Sequence, residues 1–247
     1  MTALTGRVAV VTGGSSGIGA ALAVMLAAEG AAVVLAARRE AELERVAEGI
    51  RRGGGVAVPL VTDLADDDAL GRLLATTRAE LGPIDILVNN AGYGVWKPLQ
   101  ETTLDEWDRT FAVNLRAAAY LCGNVLPDMR AGGSGGSSTS AARPGWPSAA
   151  YCVSKHALRA LTEVIQDGNH DCGVKAWVIC PGFVDTDMGY VVPGANPANF
   201  LRVSDVVDMV RFLLRSGDNV KLGPEILVRT MRNPMAGGQV DTEGPEA

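Results

Sequence analysis

Short apolar runs and longer helical stretches alternate along the chain. Residues 7–11 form a β-branched run that predicts a buried strand, and the alanine-rich stretch 20–30 predicts a helix with Gly30 at its C′ position. Further strands are predicted at 32–37, 56–61, 84–88, 174–179 and 224–228. Further helices are predicted at 40–51, 66–81, 104–130, 151–166 and 204–216, the last with Ser204 as N-cap. This alternation favours an α/β fold, a doubly wound, mostly parallel sheet with helices on both faces and ligands at the carboxyl ends of the strands.

Composition narrows the class of protein. A chain of 247 residues with 47% hydrophobic and 20% charged residues is long enough for one large core and is not typical of disorder. We expect a single domain over 1–232 and a flexible tail over 233–247, which is rich in glycine, proline and acidic residues. The net charge of −6 argues against nucleic-acid binding, which needs clustered basic residues.

The N-terminal sequence and the cysteines bear on location and chemistry. The first residues lack the charged start and apolar core of a signal peptide. The apolar run 18–28 is shorter than the roughly 18 residues that span a bilayer, so we expect a cytoplasmic protein without a membrane partner. The cysteines form no C-x-x-C pair, and we expect reduced core or near-core thiols and no metal site; they are Cys122, Cys152, Cys172 and Cys180.

A glycine-rich turn lies between the first strand and the first helix. Its glycines, Gly13, Gly17 and Gly19, are spaced G-x-x-x-G-x-G within 12–19. Glycine permits φ > 0 and a close approach to the backbone, and the first N–H groups of the helix form the positive end of its dipole. The turn therefore predicts a diphosphate site, although a glycine-rich turn that binds nothing has the same pattern.

Two further motifs bear on chemistry. Asn89-Asn90-Ala91-Gly92 follows the fourth strand, where small and amide side chains can approach a ribose. Tyr151 and Lys155 are four residues apart on one predicted helix, so they share a face. An ammonium lowers the pKa of a nearby phenol, which could then exchange a proton with a carbonyl or alcohol oxygen. An ordinary core tyrosine beside a solvated lysine would look the same.

Together, four ordered motifs resemble the short-chain dehydrogenase/reductase family: Thr12-Gly13-x-x-x-Gly17-x-Gly19, Asn89-Asn90-Ala91-Gly92, Tyr151-x-x-x-Lys155 and Pro181-Gly182. The resemblance covers residues 5–232. It implies a Rossmann-like fold, an oxidoreductase that interconverts a carbonyl compound and an alcohol by hydride transfer, and a small-molecule substrate. It also implies a homodimer or homotetramer assembled through the helices that carry Asn114 and Tyr151.

The resemblance assigns catalytic roles to four residues. Tyr151 is similar to the family's acid/base, and Lys155 to the residue that lowers its pKa and contacts the nicotinamide ribose. Asn114 matches the helix asparagine that holds a proton-relay water. Ser138, thirteen residues before Tyr151, matches the serine that bonds the reacting oxygen.

The stretch that leads to Ser138 and should position it at the site departs from the family pattern. Residues 131–138 are mostly glycine and serine where a central strand usually has an apolar run. Either this stretch fills the strand position or it forms a loop, and Ser137 and Ser140 are alternatives for Ser138. A second departure is Gly168, where the catalytic helix could end early or bend.

The resemblance also implies a nicotinamide cofactor. Asp63 matches the residue at the adenine and Thr186 the one at the carboxamide or diphosphate. The full implied set is Gly13, Ser15, Ser16, Gly17, Ile18, Gly19, Arg38, Arg39, Asp63, Leu64, Asn90, Ala91, Gly92, Tyr151, Lys155, Pro181, Gly182, Val184 and Thr186.

The end of the second strand bears on cofactor choice. Members of the family that prefer NAD have a carboxylate there, which accepts a hydrogen bond from the ribose 2′-hydroxyl. This chain has Ala37 followed by Arg38 and Arg39, which can grip a 2′-phosphate, so we expect NADP(H). Alternatively, the two arginines are solvated charges at the start of a helix.

The segment between Gly182 and Ser204 corresponds to the family's substrate lid. Apolar residues there and two tryptophans elsewhere suggest a pocket wall, with simple packing as the other interpretation: Phe183, Met188, Tyr190, Val191, Val192, Trp96 and Trp146. A function of a different class stays open, a catalytically weak nucleotide-binding sensor or scaffold, which the glycine-serine stretch motivates.

Overall fold

A seven-stranded parallel sheet forms the centre of the molecule, with strand order β3-β2-β1-β4-β5-β6-β7. The computed structural model describes residues 4–133, 135–140, 148–191, 194–217, 220, 222–223, 225–231 and 233–235. The strands are β1 Val8–Thr12, β2 Ala32–Ala37, β3 Val56–Val61, β4 Ile86–Asn89, β5 Gly135–Ser140, β6 Val174–Pro181 and β7 Glu225–Val228. Parallel neighbours place all the carboxyl ends at one edge.

Helices cover both faces of this sheet. They are α1 Gly17–Ala28, α2 Glu40–Arg52, α3 Asp67–Leu81, α4 Leu104–Phe111, α5 Ala117–Ala131, α6 Ala149–Asn169, α7 Asp187–Tyr190 and α8 Val203–Leu214. Successive residues of β1 and β2 point to opposite faces, so Ala9 and Val11 join the core under α1, α2 and α8. Val10 and Val34 join the core under α3, α5 and α6. The predicted doubly wound α/β fold is confirmed.

The predicted elements are mostly present, with shifted ends. The predicted helix 104–130 is two helices separated by a π-helical segment, Ala112–Arg116. The catalytic helix continues through Gly168 to Asn169, so it does not end early. Gly30 has φ 99° just after α1, as a C′ residue should. The fourth strand lies two residues later than predicted at its start, at Ile86–Asn89.

The predicted N-cap of the last helix is wrong. Arg202, not Ser204, occupies the N-cap of α8. The backbone N–H of Arg202 donates to a carboxylate oxygen of Asp205 at 2.9 Å. A carboxylate at this position satisfies a donor at the helix start, so the helix begins two residues earlier than a serine cap would allow.

The glycine-serine stretch fills the central strand position. Residues 135–140 form β5, which pairs with β4 on one side and β6 on the other, and Ser138 lies opposite Val88 and Trp177. Two complete backbone ladders can hold a strand that lacks an apolar run, because each N–H and C=O finds a neighbour. The loop interpretation is therefore wrong.

Several expectations concern thiols, metals, membranes and the tail. Cys122 and Cys180 are buried, Cys152 is half-buried, and Cys172 is exposed, so the expectation of a core thiol is wrong for Cys172. Within the described ranges, no three His, Cys, Asp or Glu side chains are grouped as a metal site would require. None of the helices described is both long and apolar enough to cross a membrane. The expected flexible tail lies outside the described residues from 236 onward.

Candidate active site

The glycine turn after β1 brings backbone against backbone. Gly13 and Gly17 have φ 69° and 54°, which L side chains rarely adopt. A Cβ on Gly19 would lie 2.3 Å from the carbonyl oxygen of Gly13 and 2.4 Å from the amide nitrogen of Asn90. The turn therefore tolerates no side chain at Gly19. It leads directly into the N-terminus of α1, where unpaired N–H groups favour an anion.

Asn90 joins the ends of β1 and β4. Its side-chain amide donates to the carbonyl oxygen of Thr12 at 3.1 Å. The hydroxyl of Thr12 accepts from the backbone N–H groups of Asn90 and Ala91 at 3.1 and 3.2 Å, and donates to the carbonyl oxygen of Val88. These bonds fix the motif of residues 89–92 beside the glycine turn, so the two motifs form one surface.

Two arginines follow β2 at the rim of this surface. The Arg39 guanidinium donates to the hydroxyl of Ser15 at 3.2 Å and to that of Ser16 at 2.7 Å, and lies 3.7 Å from the Glu42 carboxylate. Arg38 is exposed. The predicted cofactor residues at positions 15, 16, 38 and 39 are therefore neighbours, with positive charge at the turn.

Asp63 lies just beyond β3. Burial opposes its ionisation, but the N–H of Ala65 and the guanidinium of Arg109 outweigh burial and lower the pKa of Asp63 below its ordinary value. Arg109 donates to its Oδ2 at 3.0 Å. Asp63 is thus a fixed anion at the strand edge, and Leu64 beside it is buried in the core.

On the other side of the turn, the segment after β6 closes the surface. A Cβ on Gly17 would lie 3.2 Å from the Thr186 methyl group. Pro181 ends β6, and the N–H of Gly182 donates to the carbonyl oxygen of Val228 at 2.8 Å. Val184 is buried and bridges to Leu201. The family-implied residues after β6 therefore face the glycine turn across a short gap.

Tyr151 and Lys155 lie on the first two turns of α6. The Lys155 Nζ is 5.5 Å from the centroid of the Tyr151 ring, and Lys155 is only 1% exposed. A Cβ on Gly92 would lie 3.4 Å from that Nζ. The pair therefore lies directly against the motif of residues 89–92, at the same edge as the glycine turn.

Burial dominates the titration of this pair. Loss of hydration, with a smaller contribution from the Cys152 thiol, raises the pKa of Tyr151 to about 12. Burial also lowers the pKa of Lys155 to about 8, against a small opposing contribution from Cys180. The expected lowering of the Tyr151 pKa by Lys155 is therefore wrong for this geometry: burial raises that pKa, and the Lys155 Nζ lies 5.5 Å from the ring centroid.

A family model described as short chain dehydrogenase matches residues 7–193. The chain belongs to this family. A short chain dehydrogenase of Pseudocercospora fijiensis is 39% identical over 79% of the chain, and the chain spans 65% of that relative's length. The glycine betaine reductase of Emericella nidulans is 34% identical over 94% of the chain, which spans 19% of the length of that relative.

Solved structures of the family superpose closely. A metagenomic short-chain oxidoreductase in complex with NADP is 34% identical, with a TM-score of 0.81 over 93% of this chain and 100% of the other. The L-sorbose reductase of Gluconobacter frateurii, complexed with NADPH and L-sorbose, is 27% identical, with a TM-score of 0.85 over 96% of this chain and 99% of the other.

Asn114 ties the catalytic helix to the loop after β4. It lies in the π-helical segment, and its amide oxygen accepts from the N–H of Tyr93 at 2.7 Å. Its amide nitrogen donates to the carbonyl oxygen of Tyr93 at 2.8 Å and to the hydroxyl of Ser154 at 2.9 Å. Ser154 in turn donates to the carbonyl oxygen of Tyr151 at 2.8 Å. The predicted proton-relay water stays a prediction.

The loop held by Asn114 packs on the Tyr151 ring. A Cβ on Gly94 would lie 2.9 Å from Cδ2 of Tyr151, and the Trp96 ring centroid lies 5.7 Å from the Tyr151 centroid. On the other side, the Tyr151 hydroxyl donates to the Met188 sulfur at 3.8 Å. Trp96 and Met188 were predicted as pocket wall, and both lie beside Tyr151.

The remaining predicted pocket residues divide into three groups. Phe183 and Tyr190 both pack on Phe200, with centroid distances of 5.5 and 5.7 Å, so they form an aromatic cluster behind the segment that carries Met188. Val191 is 51% exposed. Val192 and Trp146 lie outside the described residues.

The serine assignment stays a prediction. The backbone of Ser137, Ser138 and Ser140 is placed in β5, but their side chains lie outside the described part of the chain.

Sequence reasoning missed three residues of the site. These are Ser154, which joins Asn114 to α6, Gly94, which lets the Tyr151 ring approach the loop, and Thr12, which belongs to the quoted glycine motif but whose role in joining β1 to β4 was not predicted. A second glycine two residues after Gly92 was the available signal for Gly94. Ser154 had no signal of its own, because its partner is 40 residues away in sequence.

Proposed function

We propose that the chain is an NADP(H)-dependent oxidoreductase that interconverts a carbonyl compound and an alcohol. The observation that carries the proposal is the meeting of Tyr151 and the buried Lys155 with the glycine turn at one sheet edge. Tyr151 and Lys155 lie against the motif of residues 89–92, which is bonded to the end of β1. A cofactor bound along this edge would place its reactive ring beside Tyr151.

The residues at this edge suit a 2′-phosphorylated dinucleotide. The glycine turn and the N-terminus of α1 would hold the diphosphate, with Thr186 across the gap. Asp63 lies at the adenine position. β2 ends at Ala37 instead of a carboxylate, and Arg38 and Arg39 would bind the 2′-phosphate together with the Ser15 and Ser16 hydroxyls. The metagenomic relative, which has a similar fold, was solved in complex with NADP.

When bound, the nicotinamide would supply or accept the hydride. The chain's own residues handle the proton. Tyr151 donates a proton to the carbonyl oxygen during reduction, and Ser138 is proposed to orient that oxygen by a hydrogen bond. With a pKa of about 8, Lys155 is mostly protonated at pH 7, so it can hold the nicotinamide ribose and offer positive charge to the phenolate that forms. Asn114 fixes the loop after β4 against α6 through its hydrogen bonds to Tyr93 and Ser154.

The raised pKa of Tyr151 predicts a pH dependence for the oxidation direction. Alcohol oxidation needs the phenolate as base, and burial raises the pKa of Tyr151 to about 12. We therefore propose that the rate of alcohol oxidation increases as pH rises.

Substitution of Tyr151 by phenylalanine tests the proposal. Consumption of NADPH with a panel of aldehydes and ketones should fall by roughly 100-fold or more, which is typical of loss of a general acid. NADPH binding, followed by its fluorescence, should persist. Phe212→Leu is the control, because Phe212 is an exposed aromatic residue on α8, outside the site and the proposed interface, and should leave the rate unchanged. Full activity in Tyr151→Phe would contradict the mechanism.

The sensor hypothesis loses its motivation, since the glycine-serine stretch forms β5. It would regain support if NADPH bound tightly and no carbonyl compound of the panel were reduced. We also propose a homodimer or homotetramer formed through α5 and α6, as the family resemblance implies. Sedimentation velocity measures this directly, and a monomer at micromolar concentration would contradict it.

A further inference from the structure

Two apolar side chains lie beside Tyr151, one at its ring and one at its hydroxyl, and we call them the apolar wall: Trp96 and Met188. The indole ring lies tilted by 43° at 5.7 Å from the Tyr151 ring, and the thioether sulfur lies 3.8 Å from its hydroxyl oxygen. A carbonyl group that reaches Tyr151 must place its substituents close to these two side chains. Their chemistry should therefore influence which substituents are accepted.

The wall is held in place from behind. Met188 lies on α7, where a Cβ on Gly189 would be 2.2 Å from the carbonyl oxygen of Val184 and 3.3 Å from the Phe200 ring. The short helix is thus pressed against the aromatic cluster. Trp96 follows the peptide of Tyr93, which Asn114 holds with two hydrogen bonds. Packing therefore fixes the helix that carries Met188, and hydrogen bonds fix the loop that carries Trp96.

Two charged side chains close to the wall in sequence are paired with neighbours. Lys97, next to Trp96, donates to the Glu106 carboxylate at 2.6 Å, and this contact raises the pKa of Lys97 and lowers that of Glu106. Asp185, three residues before Met188, accepts from the Tyr190 hydroxyl at 2.5 Å. Asp187, which directly precedes Met188, is exposed to solvent. Beside Tyr151 the wall itself presents an aromatic face and a thioether.

We infer that the apolar wall selects carbonyl compounds with an apolar, preferably aromatic, substituent over polyhydroxylated ketones. The inference rests on the proposed function and names its substrate class. An aryl group can stack on the indole and contact the polarisable sulfur. The hydroxyl groups of a ketose would leave water there without gaining equivalent partners. We therefore expect this protein to disfavour a ketose such as L-sorbose, which the structurally similar L-sorbose reductase binds.

The test compares acetophenone with L-sorbose in NADPH-linked reduction. A hydrophobic site discriminates by roughly 100-fold against a single added hydroxyl, so kcat/KM of the natural protein should favour acetophenone by at least about that factor. Trp96→Ala should lower kcat/KM for acetophenone roughly tenfold, mainly through KM, with little change for L-sorbose. Met188→Gln should narrow the preference, while Met188→Leu should keep it.

Met231→Gln is the matched control, because Met231 is fully exposed, and it should change neither substrate. An equal loss for both ketones in Trp96→Ala would mean that the indole only positions Tyr151, which would overturn the inference. A preference of the natural protein for L-sorbose would overturn it as well.

Failure of the proposed function is distinguishable from failure of the inference. If neither ketone is reduced while NADPH binds, the proposed function fails. The wall is then tested by calorimetric binding of each ketone to NADPH-loaded Tyr151→Phe protein. Tighter binding of acetophenone supports the selection, and equal or tighter binding of L-sorbose overturns it.

Discussion

The two sides of the site are held together by different parts of the chain. On the turn side, which comprises β1, the glycine turn and α1, backbone meets backbone, as where Gly19 approaches the carbonyl oxygen of Gly13. On the catalytic side, which comprises the loop after β4, α6 and α7, side chains make the connections. Asn114 holds Tyr93 and Ser154 there, and Met188 contacts Tyr151. A shape made by backbone demands glycine, whereas a shape made by side chains can be built in many ways.

The two sides also differ in their electrostatics. On the turn side the charged side chains, Arg38 and Arg39, are exposed to solvent at the rim. The catalytic side carries a lysine that is 1% exposed and a tyrosine whose pKa is about 12. Burying a charge without full compensation destabilises the folded state. The catalytic side therefore gives up stability for function, and the turn side does not.

Substitution of Lys155 by methionine should have the largest effect. Methionine keeps the buried aliphatic volume and removes the charge, so we expect reductase activity to fall by roughly 100-fold or more. Stability should rise, because burial lowers the folded-state pKa of Lys155 from the ordinary 10.5 of a lysine to about 8. At about 1.4 kcal/mol per pKa unit, the gain is roughly 3 kcal/mol at pH 7.

The pH dependence checks the cause of that gain. The penalty for charged Lys155 is complete below pH 8 and disappears as pH rises from 8 toward 10.5, because the folded state gives up its proton first. The advantage of Lys155→Met in urea unfolding should therefore be smaller at pH 9.5 than at pH 7. Lys97→Met is the control, since Lys97 is half-exposed and ion-paired, and it should give no such gain. A gain that is independent of pH would contradict the burial argument.

The same contrast explains how much could be read from the sequence. The glycine spacing at 13, 17 and 19 predicted the turn side because the backbone approach at Gly19 excludes every other residue. Apolar periodicity predicted the strands of the sheet, since buried parallel strands leave continuous β-branched runs. The neighbourhood of Tyr151 and Lys155 also followed from their spacing of four on one helix.

The missed features depend on contacts distant in sequence. The π-helical segment around Asn114 interrupts the predicted helix 104–130, and its periodicity differs too little to be visible. The direction of the shift in the Tyr151 pKa depends on burial by the loop of residues 93–96. The position of that loop could not be predicted from the sequence. β5 lacks an apolar run, and its pairing with β4 and β6 defines it instead. Side-chain networks and strand pairing are tertiary properties.

Substitution of Gly19 by alanine should break the turn side. The new Cβ would overlap the carbonyl oxygen of Gly13, a backbone atom that cannot swing away as a side chain could. We expect a loss of roughly 1–3 kcal/mol in the free energy of unfolding, which is typical of overpacking, together with loss of NADPH binding. Urea unfolding and fluorescence titration measure the two effects.

Gly49→Ala provides the matched control for this substitution. Gly49 lies inside α2, and a Cβ there meets nothing within 4 Å. Alanine should stabilise the helix by roughly 0.4–1 kcal/mol and leave NADPH binding unchanged. Equal behaviour of the two variants would show that the close approach at Gly19 does not govern the turn.

Removing the charge of Arg39 should have the smallest effect and the most specific one. Arg39→Leu should weaken NADPH binding by roughly tenfold, since a charge-assisted hydrogen bond contributes about 1.5–3 kcal/mol and Arg38 still supplies positive charge. NADH binding should hardly change, because NADH lacks the 2′-phosphate. Arg45→Leu removes the same charge from an exposed position on α2 and should weaken neither. If NADPH binding were weakened equally in both variants, Arg39 would act only through the overall charge of the protein and not through a direct contact. Unchanged NADPH binding in Arg39→Leu would contradict a role of Arg39 in cofactor choice.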